Sequence, residues 1–269
     1  MPLIRLIATD VDGTLLNSQL KIPDRNLRAI HAAQEKGITV AISSGRFPEN
    51  VYVLLQDYGL RCPIIGTNGA DVIDEKLNRL SETCIAPDAA LRALHELIRL
   101  GADYFMFARQ AICTSRETRR HHSELSFGNR IRALGFTYYH GPDEALLLAG
   151  QGIAHKFFVC DNVDLDRVRE SLDGIPGIEL TQSSANNIEV MPCGVDKGIG
   201  VQTLADTLGI PMEQVMTLGD EENDIPMLRA AGYGIAMANG SAEAKAAAKY
   251  VTDTNEECGF AKAIEKFAL

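Results

Sequence analysis

Short apolar runs alternate with longer amphipathic stretches over the first 68 residues, and the alternation predicts strand and helix in turn. The spacing predicts a strand over 5–9. Pro23 and Asp24 then open a helix that turns Leu27, Ile30 and Ala33 inward, and Gly37 suits its C-terminal end. An apolar strand over 38–43, a helix over 47–58 and a strand over 63–67 follow, the last closing on Asn68-Gly69. This βαβαβ order predicts a parallel sheet covered by helices.

The last third repeats the rhythm, with helices expected over 197–208, 225–231, 242–248 and 259–267 and strands over 215–218, 234–236 and 250–252. The middle differs. Residues 87–100 read as an amphipathic helix with Leu91, Leu94, Leu97 and Ile98 on one face. Strands at 104–108, 111–114, 157–160, 178–181 and 188–190, with a helix at 165–172, describe an α+β module. The expected fold is therefore α/β: a doubly wound, mostly parallel sheet forms a discontinuous core of residues 1–83 and 188–269, with an α+β domain at 84–187 inserted.

Composition changes this picture only by exclusion. The 269 residues are 46% hydrophobic and 23% charged, which suits a globular core. A net charge of −10 argues against nucleic acid or an anionic membrane as main partner, so an anionic substrate would need positive charge gathered locally. Cysteines 62, 84, 113, 160, 193 and 258 are scattered without a CxxC pair and read as reduced thiols. The chain enters its first strand without a cationic leader, and no segment approaches the roughly 18 apolar residues of a membrane span. The expectation is a cytoplasmic protein, with no partner protein specified by the sequence.

Ligands of open parallel sheets bind beyond the carboxyl ends of the strands. Three polar groups fall there: Asp10 with Asp12 in "DVDGTL", Ser43-Ser44-Gly45, and "GDEEND" at 219–224. A fourth, Lys197 in "GVDKG", opens a helix. Taken singly, each has a structural explanation: a turn-capping Asp, a turn Ser, acids at a helix start, a solvated Lys. Those explanations do not account for all four on one rim. Together they offer carboxylates for a hard cation such as Mg²⁺ and a lysine with small donors for an anion, a set suited to a phosphate ester. No G-x-x-x-x-G-K-[ST] loop occurs, and the glycines of "GVDKGIG" lack dinucleotide spacing, so nucleotide-dependent kinase and dehydrogenase readings fall behind.

"DVDGTL", "SSGR", "DKG" and "GDEENDIPML", in that order, resemble the four motifs of the haloacid dehalogenase superfamily of phosphatases. The long insert and "IEVMPCGVDKG" resemble its Cof-type branch. The resemblance spans essentially the whole chain. It implies a Mg²⁺-dependent phosphatase of small phosphorylated metabolites, sugar phosphates foremost, working through an aspartyl-phosphate. Asp10 would be the nucleophile and Asp12 the general acid and base. Mg²⁺ would lie between Asp10, the backbone carbonyl of Asp12 and Asp220, with Asp224 acting through water. Ser44, the backbone around Val11 and Gly45, Lys197 and Asn223 would bind the phosphoryl oxygens. Serine where the second motif is often written with threonine keeps the hydroxyl.

Arg46 and Asn68 flank the same rim, and Arg46 reads equally as a phosphate ligand or a structural residue. The insert resembles the family's mobile cap, which closes over the site and reads the leaving group. Its charge cluster of Arg116, Arg119, Arg120, His121 and His122 suits either a solvated face or a polar substrate, and Glu189 either a strand end or the site's mouth. Two other functions share these residues. A sugar phosphomutase would release an isomeric phosphate, and a non-catalytic phospho-ligand sensor would bind without turnover.

Overall fold

The computed structural model describes residues 4–116, 128–160, 162–182 and 186–269. The chain divides into two compact units, Met1–Glu82 with Asp196–Leu269 and Thr83–Val195. The first unit begins with β1 (Leu6–Thr9), β2 (Thr39–Ser43), β3 (Ile64–Gly66), β4 (Asp71–Ile73) and β5 (Arg79–Glu82). The second carries β6 (Tyr104–Ala108), β7 (Ala111–Thr114), β8 (Thr137–His140), β9 (Ala154–Cys160), β10 (Ile178–Thr181) and β11 (Asn187–Pro192). The first then resumes with β12 (Val215–Gly219), β13 (Tyr233–Ala236) and β14 (Tyr250–Val251).

Among the described residues the first unit's sheet has eight strands, ordered β14-β13-β12-β1-β2-β3-β4-β5. Pairing is parallel from β14 to β3, and β4 and β5 add an antiparallel edge. Strands β1 and β12 are buried along their whole length, as central strands covered on both faces must be. Leu6 and Ala8 of β1 pack with Ala41, Ile65 and Val215, and with Val201, Leu204 and Ala205 of the helix Lys197–Thr207. The chain winds outward from β1 through β2 and β3 on one side and from β12 through β13 and β14 on the other. The order therefore reverses between β1 and β12, the place where open α/β sheets form their ligand crevice.

Among the described residues the second unit's sheet has six strands, ordered β10-β11-β9-β6-β7-β8 and antiparallel except for the β7–β8 pair. One apolar cluster joins Tyr104, Met106, Phe157, Val159, Ile188 and Val190 of the sheet to the helices Pro87–Leu100, Pro142–Gly150 and Leu165–Leu172.

The structure corrects the sequence-based boundary. Residues 188–195, expected in the core, belong to the insert, because β11 pairs with both β9 and β10. The strands β4, β5 and β8 and the helices Gly128–Ala133 and Pro142–Gly150 were not foreseen, although Pro142 at the first turn of the last is an ordinary helix-start signal. Within Pro87–Leu100 the buried stripe is Ala90, Ala93, Leu94 and Leu97, while Ile98 is 39% exposed. Small alanines, not the largest aliphatics alone, define that helix's inner face.

Of the insert's basic cluster, Arg119, Arg120, His121 and His122 lie outside the described residues, and Arg116 pairs with Asp103 at 2.8 Å. Glu189 lies inside β11, buried and ion-paired with Lys156 at 3.0 Å. None of the six cysteines is in a disulfide, and among the described residues no helix is long and apolar enough to cross a membrane.

Candidate active site

Asp10 directly follows β1, and Asp220 directly follows β12. Those strands are adjacent and parallel, so both acids leave the sheet side by side. The Asp10 N–H continues the ladder by donating to Leu218 O at 2.9 Å, which fixes where the nucleophile candidate emerges. After Asp10 the chain makes a wide helical turn over 11–15, closed by Leu16 N–H donating to Val11 O at 2.9 Å. Gly13 in this turn has φ +82°, and a Cβ there would lie 2.1 Å from Asp220 Oδ2. Only glycine lets the turn press against the acid of the neighbouring strand. The adjacent Thr14 hydroxyl donates to Asp220 Oδ1 at 2.8 Å.

Lys197 reaches the same point from the first turn of its helix, which Asp196 caps by accepting from the Ile199 N–H. A lysine at a helix N-terminus opposes the helix dipole, and this one is also 1% exposed. Both costs are offset by two carboxylates: Lys197 Nζ donates to Asp10 Oδ1 at 2.7 Å and to Asp224 Oδ1 at 2.6 Å. Asp224 Oδ2 accepts the backbone N–H groups of Asp220 (2.8 Å) and Glu221 (3.0 Å), so this wholly buried acid is held from both ends.

The charge balance is acidic. Burial drives the Asp10 pKa well above the usual carboxylate range; Lys197 opposes that rise, and the charges of Asp224, Asp220 and Asp12 add to it. Burial and then the neighbouring Asp224 push Asp220 up to about 7, against the Thr14 hydrogen bond. For Lys197, burial works to strip the proton, but Asp10 and Asp224 outweigh it and its pKa stands above the ordinary lysine range. One lysine thus does not neutralise three acids. Carboxylate oxygens of Asp10, Asp220 and Asp224 lie within 4.8 Å of one another, a hard-oxygen set whose mutual repulsion a divalent cation relieves. The residues fit Mg²⁺.

A second group stands beside the first. The Arg46 guanidinium forks onto Asp12, Nε to Oδ2 at 2.9 Å and Nη2 to Oδ1 at 2.7 Å, and also reaches Asn50 Oδ1 at 3.3 Å. The Asp12 carboxylate is half exposed and is not one of the clustered Asp10, Asp220 and Asp224 groups. Ser44, just past β2, is buried, and its hydroxyl accepts the Arg46 N–H at 3.2 Å. Asn223, half-buried in the turn Glu222–Asp224, donates from Nδ2 to Asn68 Oδ1 at 3.2 Å. Val11 is fully buried and Gly45 partly so.

Every residue expected at the rim thus lies in this unit. Asp10, Lys197, Asp220 and Asp224 interlock directly, Asp12 with Arg46 and Ser44 forms a neighbouring group, and Asn223 joins through Asn68. Sequence reasoning missed the roles of Gly13 and Thr14, though both directly follow Asp12 in "DVDGTL".

The sequence pattern of the haloacid dehalogenase-like hydrolases matches residues 7–264. The chain belongs to that family. A 5-amino-6-(5-phospho-D-ribitylamino)uracil phosphatase of Bacillus subtilis is 31% identical to this haloacid dehalogenase-like hydrolase, over 99% of this chain and 96% of its own length. A phosphatase of the same organism is 30% identical, over 96% of this chain and 98% of its own. Among solved structures, a haloacid dehalogenase-like hydrolase from B. subtilis superposes with a TM-score of 0.86 at 28% identity, covering 98% of this chain and 99% of that one. A sugar phosphatase of subclass IIB superposes with a TM-score of 0.83 at 25% identity, covering 98% of each chain. The activity class is phosphoric monoester hydrolysis.

Proposed function

We propose that the protein is a Mg²⁺-dependent phosphatase of small phosphorylated metabolites that works through an aspartyl-phosphate on Asp10. The observation that carries this reading is the buried Lys197 bridging Asp10 and Asp224, with Asp220 in the same cluster. Asp10, Asp220 and Asp224 would hold the cation, which when bound would supply the charge that keeps the crowded acids ionised and offsets the substrate's own negative charge.

The chain's residues divide the remaining work. Lys197, Ser44, Asn223 and the N–H groups around Val11 and Gly45 bind the phosphoryl oxygens. An Asp10 oxygen attacks phosphorus, the bond to the leaving oxygen breaks, and Asp12 gives that oxygen its proton. Asp12 then takes a proton from water, which attacks the same phosphorus, releases inorganic phosphate and restores Asp10. Arg46 acts on Asp12, holding its carboxylate in one orientation, and is not assigned to the phosphate. In this reading residues 83–195 serve as the cap that admits substrate and selects the leaving group.

For the substrate we infer a phosphate monoester on a polyhydroxylated carbon chain. The sugar phosphatase among the solved structures and the relative named for a phospho-D-ribityl compound share that feature. Inorganic phosphate release from hexose phosphates, pentitol phosphates, 5-amino-6-(5-phospho-D-ribitylamino)uracil and p-nitrophenyl phosphate, with Mg²⁺ and with EDTA, tests the reading. Metal-dependent release supports it. Conversion of a sugar phosphate to its isomer without release would make the protein a mutase, and tight binding without turnover a sensor.

A further inference from the structure

One buried turn ties together three of the segments that carry the site. Residues Thr67, Asn68 and Gly69 all have positive φ, at +51°, +53° and +97°. Asparagine visits this region readily, but a β-branched threonine does so only under backbone strain. The turn is also buried, with Thr67 and Asn68 no more than 2% exposed, and the Thr67 hydroxyl has no hydrogen-bond partner among the described residues. Such a conformation persists only where its surroundings hold it.

Those surroundings are the site. The Thr67 N–H donates to Arg46 O at 2.8 Å and the Asn68 N–H to Ser44 O at 3.0 Å, so the turn pins the segment from Ser44 to Arg46. Gly69 packs so tightly on the start of the Lys197 helix that a Cβ there would lie 2.1 Å from Asp196 O. The Asn68 side chain, meanwhile, accepts the Asn223 amide. We infer that Asn68 is a positioning residue: its carbonyl orients the Asn223 amide toward the phosphoryl group, in register with Ser44. One Asn223 N–H is spent on Asn68, which leaves the second N–H aimed by the first. The inference rests on the phosphoryl-binding role proposed above for Asn223.

A double-mutant cycle tests it. Asn68→Gly removes the carbonyl and keeps a residue at ease with positive φ, so the backbone turn survives. It is expected to lower kcat/KM on the order of 10- to 100-fold, the cost of a misplaced catalytic contact, and to weaken competitive inhibition by inorganic phosphate. In an Asn223→Ala background the same change should cost less than about twofold, because its target is gone. Asn68→Asp keeps an acceptor at this position and should retain at least threefold more activity than Asn68→Gly. It also keeps the test open if the glycine variant fails to fold. An equal loss in both backgrounds, equal losses in the Asp and Gly variants, or a harmless Asn68→Gly beside a damaging Asn223→Ala would each overturn the role of Asn68 and leave that of Asn223 standing. A harmless Asn223→Ala would remove both.

Discussion

Arg46 and Asp12 meet in a two-pronged pair, guanidinium Nε and Nη2 each on one carboxylate oxygen at 2.9 and 2.7 Å. The pair is partly solvated, with side chains 30% and 50% exposed, so it adds under about 1 kcal/mol to stability. Its value is geometric, since a planar fork fixes a carboxylate's orientation as a single ammonium does not. Arg46→Ala is expected to reduce kcat about 10- to 100-fold with little change in KM or melting temperature, and Arg46→Lys to recover only part of the loss. Steady-state kinetics on one good substrate check this, and full recovery by lysine would contradict it.

Lys197 makes the opposite case. It is wholly buried between two acids, and its removal leaves their charges uncompensated. Lys197→Met is expected to abolish turnover and to destabilise the metal-free protein by about 3–5 kcal/mol, the usual cost of breaking a buried pair from one side. Urea denaturation in EDTA measures the second effect. Added Mg²⁺ should return part of the stability without returning activity.

Gly13 faces Asp220 with no room for a side chain. Gly13→Ala puts a methyl 2.1 Å from a carboxylate oxygen on a backbone of φ +82°, so the turn or the acid must move. The expectation is a loss of a few kcal/mol in stability and at least a tenfold rise in the Mg²⁺ concentration needed for half-maximal activity. Metal titrations of the activity and thermal melts of the same sample report both.

The pKa of Asp220 gives a pH dependence with a definite sign. The folded acid titrates at about 7 against an ordinary 3.8, so in metal-free protein the folded state holds its proton more tightly than the unfolded chain does. Stability from this group is therefore lost as pH rises from about 4 through about 7 and is constant above. Asp220→Asn removes the titration. In EDTA the variant should gain on the parent across that window, reaching a few kcal/mol at pH 8, while losing Mg²⁺-dependent turnover. Melting curves of both proteins from pH 5 to 8 decide it, and a difference that does not vary with pH would contradict the account.

The parts of this site that the sequence discloses are those fixed by strand order. Asp10, Ser44 and Asp220 end three parallel strands, so the βαβ rhythm alone sends them to one rim, and the switch between β1 and β12 places them at the crevice. What the rhythm does not disclose is contact between loops. That Gly13 and Thr14 press on Asp220, or that Asn68 holds Asn223 from 155 positions away, depends on tertiary packing that no local pattern records. The direction of Asp12 was hidden for the same reason, because its orientation is set by Arg46 and not by its place after β1. In the insert, β11 reads as an apolar run that suits either sheet. Pairing with β9 and β10 decides the matter, and that pairing is a long-range event.

The most direct test of the central claim is to look for phosphate on Asp10. Protein mixed with a ³²P-labelled substrate and Mg²⁺, then quenched in acid within milliseconds, should carry label that hydroxylamine releases and that maps to the peptide containing Asp10. Asp10→Asn should carry none and should not turn over. Label on any other residue, or phosphate release by the folded Asn variant, would contradict the account.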